Sequence, residues 1–183
     1  TLPDLADDAS SAIAFVRAQT SFEYSTIGVM GFSQGGWIAP IVASTNSDVT
    51  FVVSMSGPGV TTDEQLLHEV VHTITDLGTY RVVAKLIAPI TVSNIQKSEF
   101  WGMIGGFDPI PYWRKVSVPV FMAFGENDKN VPVEESVRRI QALNQENMMI
   151  KIYPGGGHGI VDPTSRRVQE AFLKDLADFI AQR

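Results

Sequence analysis

The stretch IGVMGFSQGGW, residues 27–37, decides how this chain is interpreted. Its first residues, Ile27 to Phe32, form an apolar run that predicts a buried β-strand, and residues 34–43 have the composition of a helix. Between the two lies the sequence Gly-x-Ser-x-Gly, with Ser33 at its centre. A serine in a tight turn between a strand and a helix is held at the carboxyl edge of a sheet, where its hydroxyl is accessible. We therefore predict that Ser33 is a nucleophile.

The residues around Ser33 support a tight turn. Gly31 and Gly35 each lie two positions from the serine, where we expect a Cβ atom to clash as the backbone reverses direction, and Gly36 extends this clearance. The backbone N–H of Gln34 lies at the start of the predicted helix and points toward a developing negative charge. The pattern therefore predicts the Gln34 N–H as an oxyanion-hole donor.

Two later loops supply partners for the serine, because a serine hydroxyl needs a general base that a carboxylate in turn orients. FGENDKNVP places Asp128 in a turn after the apolar run 118–124, and YPGGGHGI places His158 in a glycine-rich loop after the next strand. Loops at the carboxyl ends of parallel strands open onto one edge of the sheet. The order Ser33, Asp128, His158 is typical of enzymes with such a serine turn. We predict these three residues as a catalytic triad, with Glu126 as the local alternative to Asp128.

The rest of the chain alternates between helical and strand-like patterns. Thr1 to Gln19 carries apolar residues at helical spacing behind a capping threonine. Apolar runs without alternation are typical of parallel strands covered by helices on both faces. Such runs occupy residues 49–55, 118–124 and 148–153, with helices predicted at 134–143 and 165–181. The sequence therefore predicts an α/β fold with a mostly parallel sheet and helices on both faces.

Residues 57–113 have a different pattern, with helical periodicity and no good strand. Thr61-Thr62-Asp63-Glu64 has the form of a capping box that opens a helix. Further helical stretches at 80–87 and 92–103 are separated by glycine and proline. We predict a helical cap at 57–113, inserted into a core domain made of residues 1–56 and 114–183.

Composition excludes several classes of protein. Among 183 residues, 14 Lys and Arg stand against 20 Asp and Glu, and without a basic cluster we expect neither a nucleic-acid nor a membrane partner. No apolar run reaches the ~18 residues of a membrane span. The chain has no cysteine, which excludes disulfides, thiolate catalysis and cysteine-bound zinc.

The chain resembles the α/β-hydrolases, and among them the serine carboxylesterases. The similarity is carried by DLADDASSAIAFVR, GFSQGGWIAP, SMSGPGV, GENDKNVP and GGGHG, which together cover most of the chain outside the predicted cap. The resemblance implies a small acyl ester substrate, an acyl-enzyme on Ser33, and no metal or cofactor. It also implies that His158 acts as base and then as acid, while Asp128 orients its ring.

In the family that the chain resembles, several strands and half of the oxyanion hole precede the helix that matches residues 1–19. This chain has no counterpart of them, so we expect a fragment of a longer enzyme that lacks the N-terminal strands. The strand at 27–32 is then an exposed apolar edge, for which we expect an N-terminal segment or a second copy of the chain as partner. Three interpretations stay open: a serine carboxylesterase, a serine peptidase of the same fold such as an aminopeptidase or acyl-peptide hydrolase, and a non-catalytic unit that self-associates.

Other motifs have competing interpretations. HEVVH, residues 68–72, matches the H-E-x-x-H pattern of zinc proteases. No third ligand stands out, so we interpret His68, Glu69 and His72 as a solvated helix face.

The aromatic residues Trp101 and Phe107 are predicted to line an acyl pocket beneath the cap. Glycines 155–157 lack the spacing of a dinucleotide site and are interpreted as the turn that directs the following histidine toward the serine.

Overall fold

The computed structural model describes residues 1–19 and 25–183. In these residues a single sheet contains four parallel strands in the order β1-β2-β3-β4. The strands are β1 Gly28–Phe32, β2 Phe51–Met55, β3 Val120–Gly125 and β4 Met148–Tyr153. The helices are α1 Leu2–Arg17, α2 Gly35–Thr45, α3 Thr62–Asp76, α4 Arg81–Ile95, α5 Glu99–Ile104, α6 Ile110–Trp113, α7 Val133–Gln141 and α8 Glu170–Ala181, with a 3₁₀ turn at His158–Ile160.

The central strand β3 explains why the sheet is covered on both faces. All six of its residues are buried, and successive side chains of a strand point to opposite faces. Val120, Met122 and Phe124 pack into the larger core, which includes residues of α1 to α7. Phe121 and Ala123 pack on the other face, where α8 contributes Phe172 and Phe179. The predicted parallel sheet with helices on both faces is therefore confirmed.

The register of the strands brings their carboxyl ends to one edge. Phe32 at the end of β1 lies opposite Met55 at the end of β2, and Met55 lies opposite Ala123 of β3. Gly125, which ends β3, lies opposite Tyr153, which ends β4. The loops that follow β1, β3 and β4 therefore open on the same side of the sheet, as the sequence predicted.

Two helix boundaries differ from the prediction. Helix α4 runs from Arg81 to Ile95 without a break, although Pro89 inside it has no N–H to donate to the carbonyl of Lys85. Helix α8 begins at Glu170 rather than near residue 165. Residues 161–169 instead form a loop in which Asp162 accepts hydrogen bonds from the backbone N–H groups of residues 164 and 165.

Residues 57–113 contain α3 to α6, and no strand is found in this segment, all of which the structure describes. Thr61 caps α3 through the predicted capping box with Glu64. The pair of helices α3 and α4 pack against each other, and Ala84 and Ala88 are completely buried between elements. The division into a core and a cap remains a prediction.

Strand β1 forms one edge of the sheet. Met30 is 53% exposed and Phe32 49% exposed, and within the described ranges no strand pairs with the outer side of β1. A segment or second chain pairing at this edge remains a prediction. None of the described helices has the length and apolarity needed to cross a membrane.

Candidate active site

Ser33 lies in a strained turn directly after β1. Its φ angle of 52° is in the left-handed region, which few residues other than glycine adopt. Its backbone N–H donates to the carbonyl of Met55 at 3.0 Å, which holds the turn against the end of β2. The carbonyl of Ser33 accepts from the Gly36 N–H at 2.8 Å, which starts helix α2. The turn thus fixes the serine between a strand and a helix, and strain at such a position is typical of functional sites.

Two of the three glycines of this turn have the role that was predicted. A Cβ at Gly31 would lie 2.1 Å from the carbonyl oxygen of Gly35, and one at Gly36 would lie 2.2 Å from the Cα of Gly57. A Cβ at Gly35 would meet nothing within 4 Å. The clash predicted at Gly35 is therefore wrong. At Gly35 the backbone carbonyl, and not the missing side chain, limits the space in the turn.

We expect Gly31→Ala to destabilise the chain by about 2–4 kcal/mol, because the new methyl group meets a backbone carbonyl that cannot move without opening the turn. Gly35→Ala is the matched control. At the first position of a helix we expect it to change the free energy of unfolding by less than about 1 kcal/mol. Urea denaturation followed by circular dichroism measures both values. Equal losses in the two variants would contradict this account.

Asp128 is buried in the turn that follows β3 and is 6% exposed. Its Oδ1 accepts hydrogen bonds from the backbone N–H groups of Asn130 at 2.9 Å and Val131 at 3.0 Å. Its Oδ2 lies 2.9 Å from Nδ1 of His158. The turn therefore holds the carboxylate through Oδ1, which itself lies 3.1 Å from Nδ1 of His158, while Oδ2 makes the shorter contact with the ring.

The ring of His158 joins the two other predicted triad residues. Its Nδ1 lies beside Asp128, and its Nε2 lies 3.0 Å from Oγ of Ser33. A carboxylate only accepts hydrogen bonds, so the ring carries its proton on Nδ1, and Nε2 of the neutral ring accepts from the serine hydroxyl. Phe32 packs against the ring at a centroid distance of 5.0 Å. The structure thus brings together the three residues that the sequence singled out.

Glu126, the local alternative to Asp128, has another partner. It is exposed, and its Oε2 accepts from the backbone N–H of Gly155 at 3.0 Å. This bond ties the turn after β3 to the glycine-rich loop after β4. Glu126 therefore supports the loop of His158 and does not contact the ring.

The backbone N–H of Gln34 is available for a substrate oxygen. Gln34 is the N-terminal capping position of α2, and its N–H donates to no acceptor among residues 1–19 and 25–183. The N–H of Ser33 itself is already bonded to Met55. At a helix N-terminus, an unpaired N–H beside the Ser33 hydroxyl is suited to bind a negatively charged oxygen.

A cavity of about 250 Å³ opens beside Ser33. Gln34 and Trp37 form part of its wall, and helices α3 to α5 supply most of the rest. Trp101, which the sequence placed in an acyl pocket, lines this cavity. Phe107 lies elsewhere and stacks on Tyr112 with ring centroids 5.4 Å apart.

The H-E-x-x-H segment does not form the solvated helix face that we predicted. His68 and His72 stack on each other with centroids 4.6 Å apart, both partly buried. Glu69 lines the cavity beside Ser33. Within the ranges 1–19 and 25–183, no group of three His, Asp or Glu side chains is placed to hold a metal ion. The predicted solvated face did not anticipate the position of Glu69 in the cavity wall.

Burial favours the uncharged form of both histidines in this pair. Burial is the main cause that lowers the pKa of His68 below its usual value, and the neighbouring ring of His72 acts in the same direction. The pKa of His72 is also lowered, mainly by burial and then by the charge of Arg81. Two neutral rings can stack without charge repulsion. The lowered pKa values therefore disfavour a positive charge on the helix that carries Glu69.

Helix α3 is tied to the elements that hold Asp128. Gln65 of α3 donates through Nε2 to the carbonyl of Asn130 at 3.0 Å. Lys129 pairs with Asp76 at the end of α3 at 2.8 Å. Both contacts join α3 to the turn after β3, so that the wall of the cavity and the carboxylate of Asp128 are positioned together.

This arrangement of a serine turn, a histidine and an aspartate on the carboxyl edge of a parallel sheet is that of the α/β-hydrolases. A model of the family described as BAAT / Acyl-CoA thioester hydrolase C terminal matches residues 10–180. The chain belongs to this family, and with it to the α/β-hydrolase superfamily.

Comparisons with individual proteins agree on the fold. Dipeptidyl peptidase family member 6 of Caenorhabditis elegans is 25% identical over 173 residues, which cover 91% of this chain and 22% of that protein. The esterase Pf2001 of Pyrococcus furiosus superimposes with a TM-score of 0.65 at 16% identity, over 96% of this chain and 60% of the esterase. For E-2-(acetamidomethylene)succinate hydrolase the TM-score is 0.64 at 19% identity, over 98% and 74% of the two chains. The chain thus spans less than two thirds of the peptidase and of the esterase.

Proposed function

We propose that this chain carries the catalytic centre of a serine hydrolase that cleaves carboxylic esters through an acyl-enzyme on Ser33. The observation that carries the proposal is the position of the His158 ring, with one nitrogen 2.9 Å from Asp128 and the other 3.0 Å from the serine hydroxyl. Such distances allow direct proton transfer from the nucleophile to the base. The family description, which names a thioester hydrolase, supports acyl transfer as the class of reaction.

The proposed reaction follows from the hydrogen bonds of the site. Nε2 of His158 takes the proton of Ser33 while Oγ bonds to the acyl carbon, and the carbonyl electrons move onto the oxygen beside the Gln34 N–H. The bond to the leaving alcohol then breaks, and His158 gives its proton to that oxygen. Water adds to the acyl-enzyme by the same sequence and releases the carboxylic acid. Asp128 orients the ring and stabilises its charged form.

The cavity suggests a small acyl group. Its volume of about 250 Å³ lies below the range of about 300–1,000 Å³ that is usual for ligand sites. We propose that residues 57–113 act as the cap of the sequence prediction, because α3, α4 and α5 contribute to the wall opposite Ser33. Trp101 is the aromatic residue that we assign to substrate binding.

A serine peptidase of the same fold is the second candidate. It uses the same serine, base and carboxylate, and the similarity to a protein named as a dipeptidyl peptidase favours it. Ester and amide substrates with the same acyl group distinguish the two candidates, since only a peptidase turns over the amide at a comparable rate.

The first test of the proposed function is covalent labelling. We expect one fluorophosphonate adduct on the intact chain by mass spectrometry, and none on Ser33→Ala. Ser11→Ala, which removes an exposed serine of α1, is the matched control and keeps the adduct. An unlabelled wild-type chain would contradict the proposal and favour the non-catalytic interpretation, and an adduct on Ser33→Ala would assign the nucleophile to another residue.

A further inference from the structure

Glu69 places a carboxylate in the wall of the cavity that holds Ser33. The side chain projects from α3, is partly buried, and lines the cavity together with Gln34, Trp37 and Trp101. None of the catalytic steps proposed above uses it. In an otherwise largely aromatic and apolar wall a carboxylate needs a binding partner, because an unpaired carboxylate that is removed from water has an unfavourable free energy.

The partners of Glu69 within the protein are neutral. Its Oε2 accepts from Nε2 of Gln65 at 3.0 Å, and its Oε1 accepts from Nδ2 of Asn130 at 3.3 Å. In the part of the chain that the structure describes, no Lys, Arg or His nitrogen forms an ion pair with it. The two acids at the ends of the same helix differ in this respect, since Glu64 pairs with Arg139 and Asp76 with Lys129.

The hydrogen bonds of Glu69 leave room for a third partner. An ionised carboxylate offers about four acceptor positions, and two are filled. The donors hold the group in place from two sides, because Gln65 belongs to α3 and Asn130 to the turn of Asp128. A fixed, partly desolvated carboxylate with free acceptor positions is suited to bind a cation that enters the cavity.

We propose that Glu69 binds the protonated amine of the substrate, so that this site prefers acyl groups that carry an ammonium group near the carbonyl, as aminoacyl esters and amides do. This inference rests on the proposed function of Ser33. The aromatic side chains of Trp37 and Trp101 in the same wall favour a cation over a neutral group of equal size. The small cavity restricts the acyl group to a short one.

The test compares two esters of equal shape, the L-alanyl and the isobutyryl 4-nitrophenyl esters, which differ by an ammonium group in place of a methyl group. At pH 6.5, after correction for spontaneous hydrolysis, we expect Glu69→Gln to lower the ratio of their kcat/KM values by about 10- to 100-fold. Glu99→Gln removes an exposed carboxylate from α5 and is the matched charge control, with an unchanged ratio. The intrinsic reactivities of the two esters cancel, because each variant is compared with the wild type.

An unchanged ratio of the two kcat/KM values would overturn the inference. If both values fell equally, Glu69 would have a structural role through Asn130. Binding is measured separately in the Ser33→Ala chain, where tryptophan fluorescence should report L-alaninamide but not isobutyramide, and where Glu69→Gln should abolish the response. Binding without turnover would uphold the ammonium site and reject the proposed hydrolysis, whereas turnover of both esters without dependence on Glu69 would reject only the ammonium site.

Discussion

Replacing Ser33 with alanine is expected to lower kcat/KM for short acyl esters by about 10⁴- to 10⁶-fold. The hydroxyl is the group that would form the acyl-enzyme, and it lies 3.0 Å from Nε2 of His158. Water bound beside the histidine can replace it only as a much weaker nucleophile. Initial rates with 4-nitrophenyl acetate and butyrate measure the loss.

The same substitution should leave the fold intact. Alanine keeps the Cβ atom, so the strain of a φ angle of 52° is the same in both proteins. We expect the free energy of unfolding to change by less than about 1 kcal/mol. A loss of activity below about tenfold, in a chain that unfolds like the wild type, would show that Ser33 is not the nucleophile.

The second large effect is expected for Asp128→Asn, with a fall in kcat of about 10⁴-fold. The asparagine oxygen can still accept from the N–H groups of Asn130 and Val131, which leaves the amide NH₂ facing Nδ1 of His158. The ring must then carry its proton on Nε2 in order to accept at Nδ1. In that tautomer Nε2 cannot take the proton of the serine, so the base is present but unusable.

Glu126→Gln is the control for this prediction. Glu126 is the carboxylate nearest in sequence, and its contact is with the backbone of Gly155 and not with the histidine. We expect its kcat to stay within about threefold of the wild type. If Glu126→Gln lost as much activity as Asp128→Asn, the orienting carboxylate would have to be reassigned.

The losses of activity expected for substitutions at Ser33, Asp128 and Glu69 differ according to what each side chain does in the proposed reaction. In the proposed reaction, Ser33 forms the covalent bond and Asp128 acts through the ring of His158, whereas Glu69 is proposed to select among substrates without taking part in proton transfer. Removal of the nucleophile is therefore expected to cost most, and removal of the amine-binding group is expected to change the ratio between substrates rather than to abolish the reaction. Such a graded series separates chemistry from recognition at one site.

Local patterns in the sequence were sufficient for most of the secondary structure. The strand before Ser33, the helix after it, and the strands that precede Asp128 and His158 were all predicted within a few residues. Apolar runs and helical spacing are properties of neighbouring residues, and for that reason they can be recognised without knowledge of the fold. The start of α8 was missed because a loop built around Asp162 replaces a turn of helix.

The sequence by itself determined which kinds of side chain follow each strand, and hence that a serine, an aspartate and a histidine meet at one edge of a parallel sheet. Only the tertiary structure decided that Asp128 rather than Glu126 faces the histidine, and that Glu69 lies in the cavity. The two contacts of the His158 ring, with Asp128 and with Ser33, join residues 30 and 125 positions apart. These contacts and the position of Glu69 depend on strand register and on the packing of α3 against the turn after β3. Neither the register nor this packing can be predicted from the periodicity of a single segment.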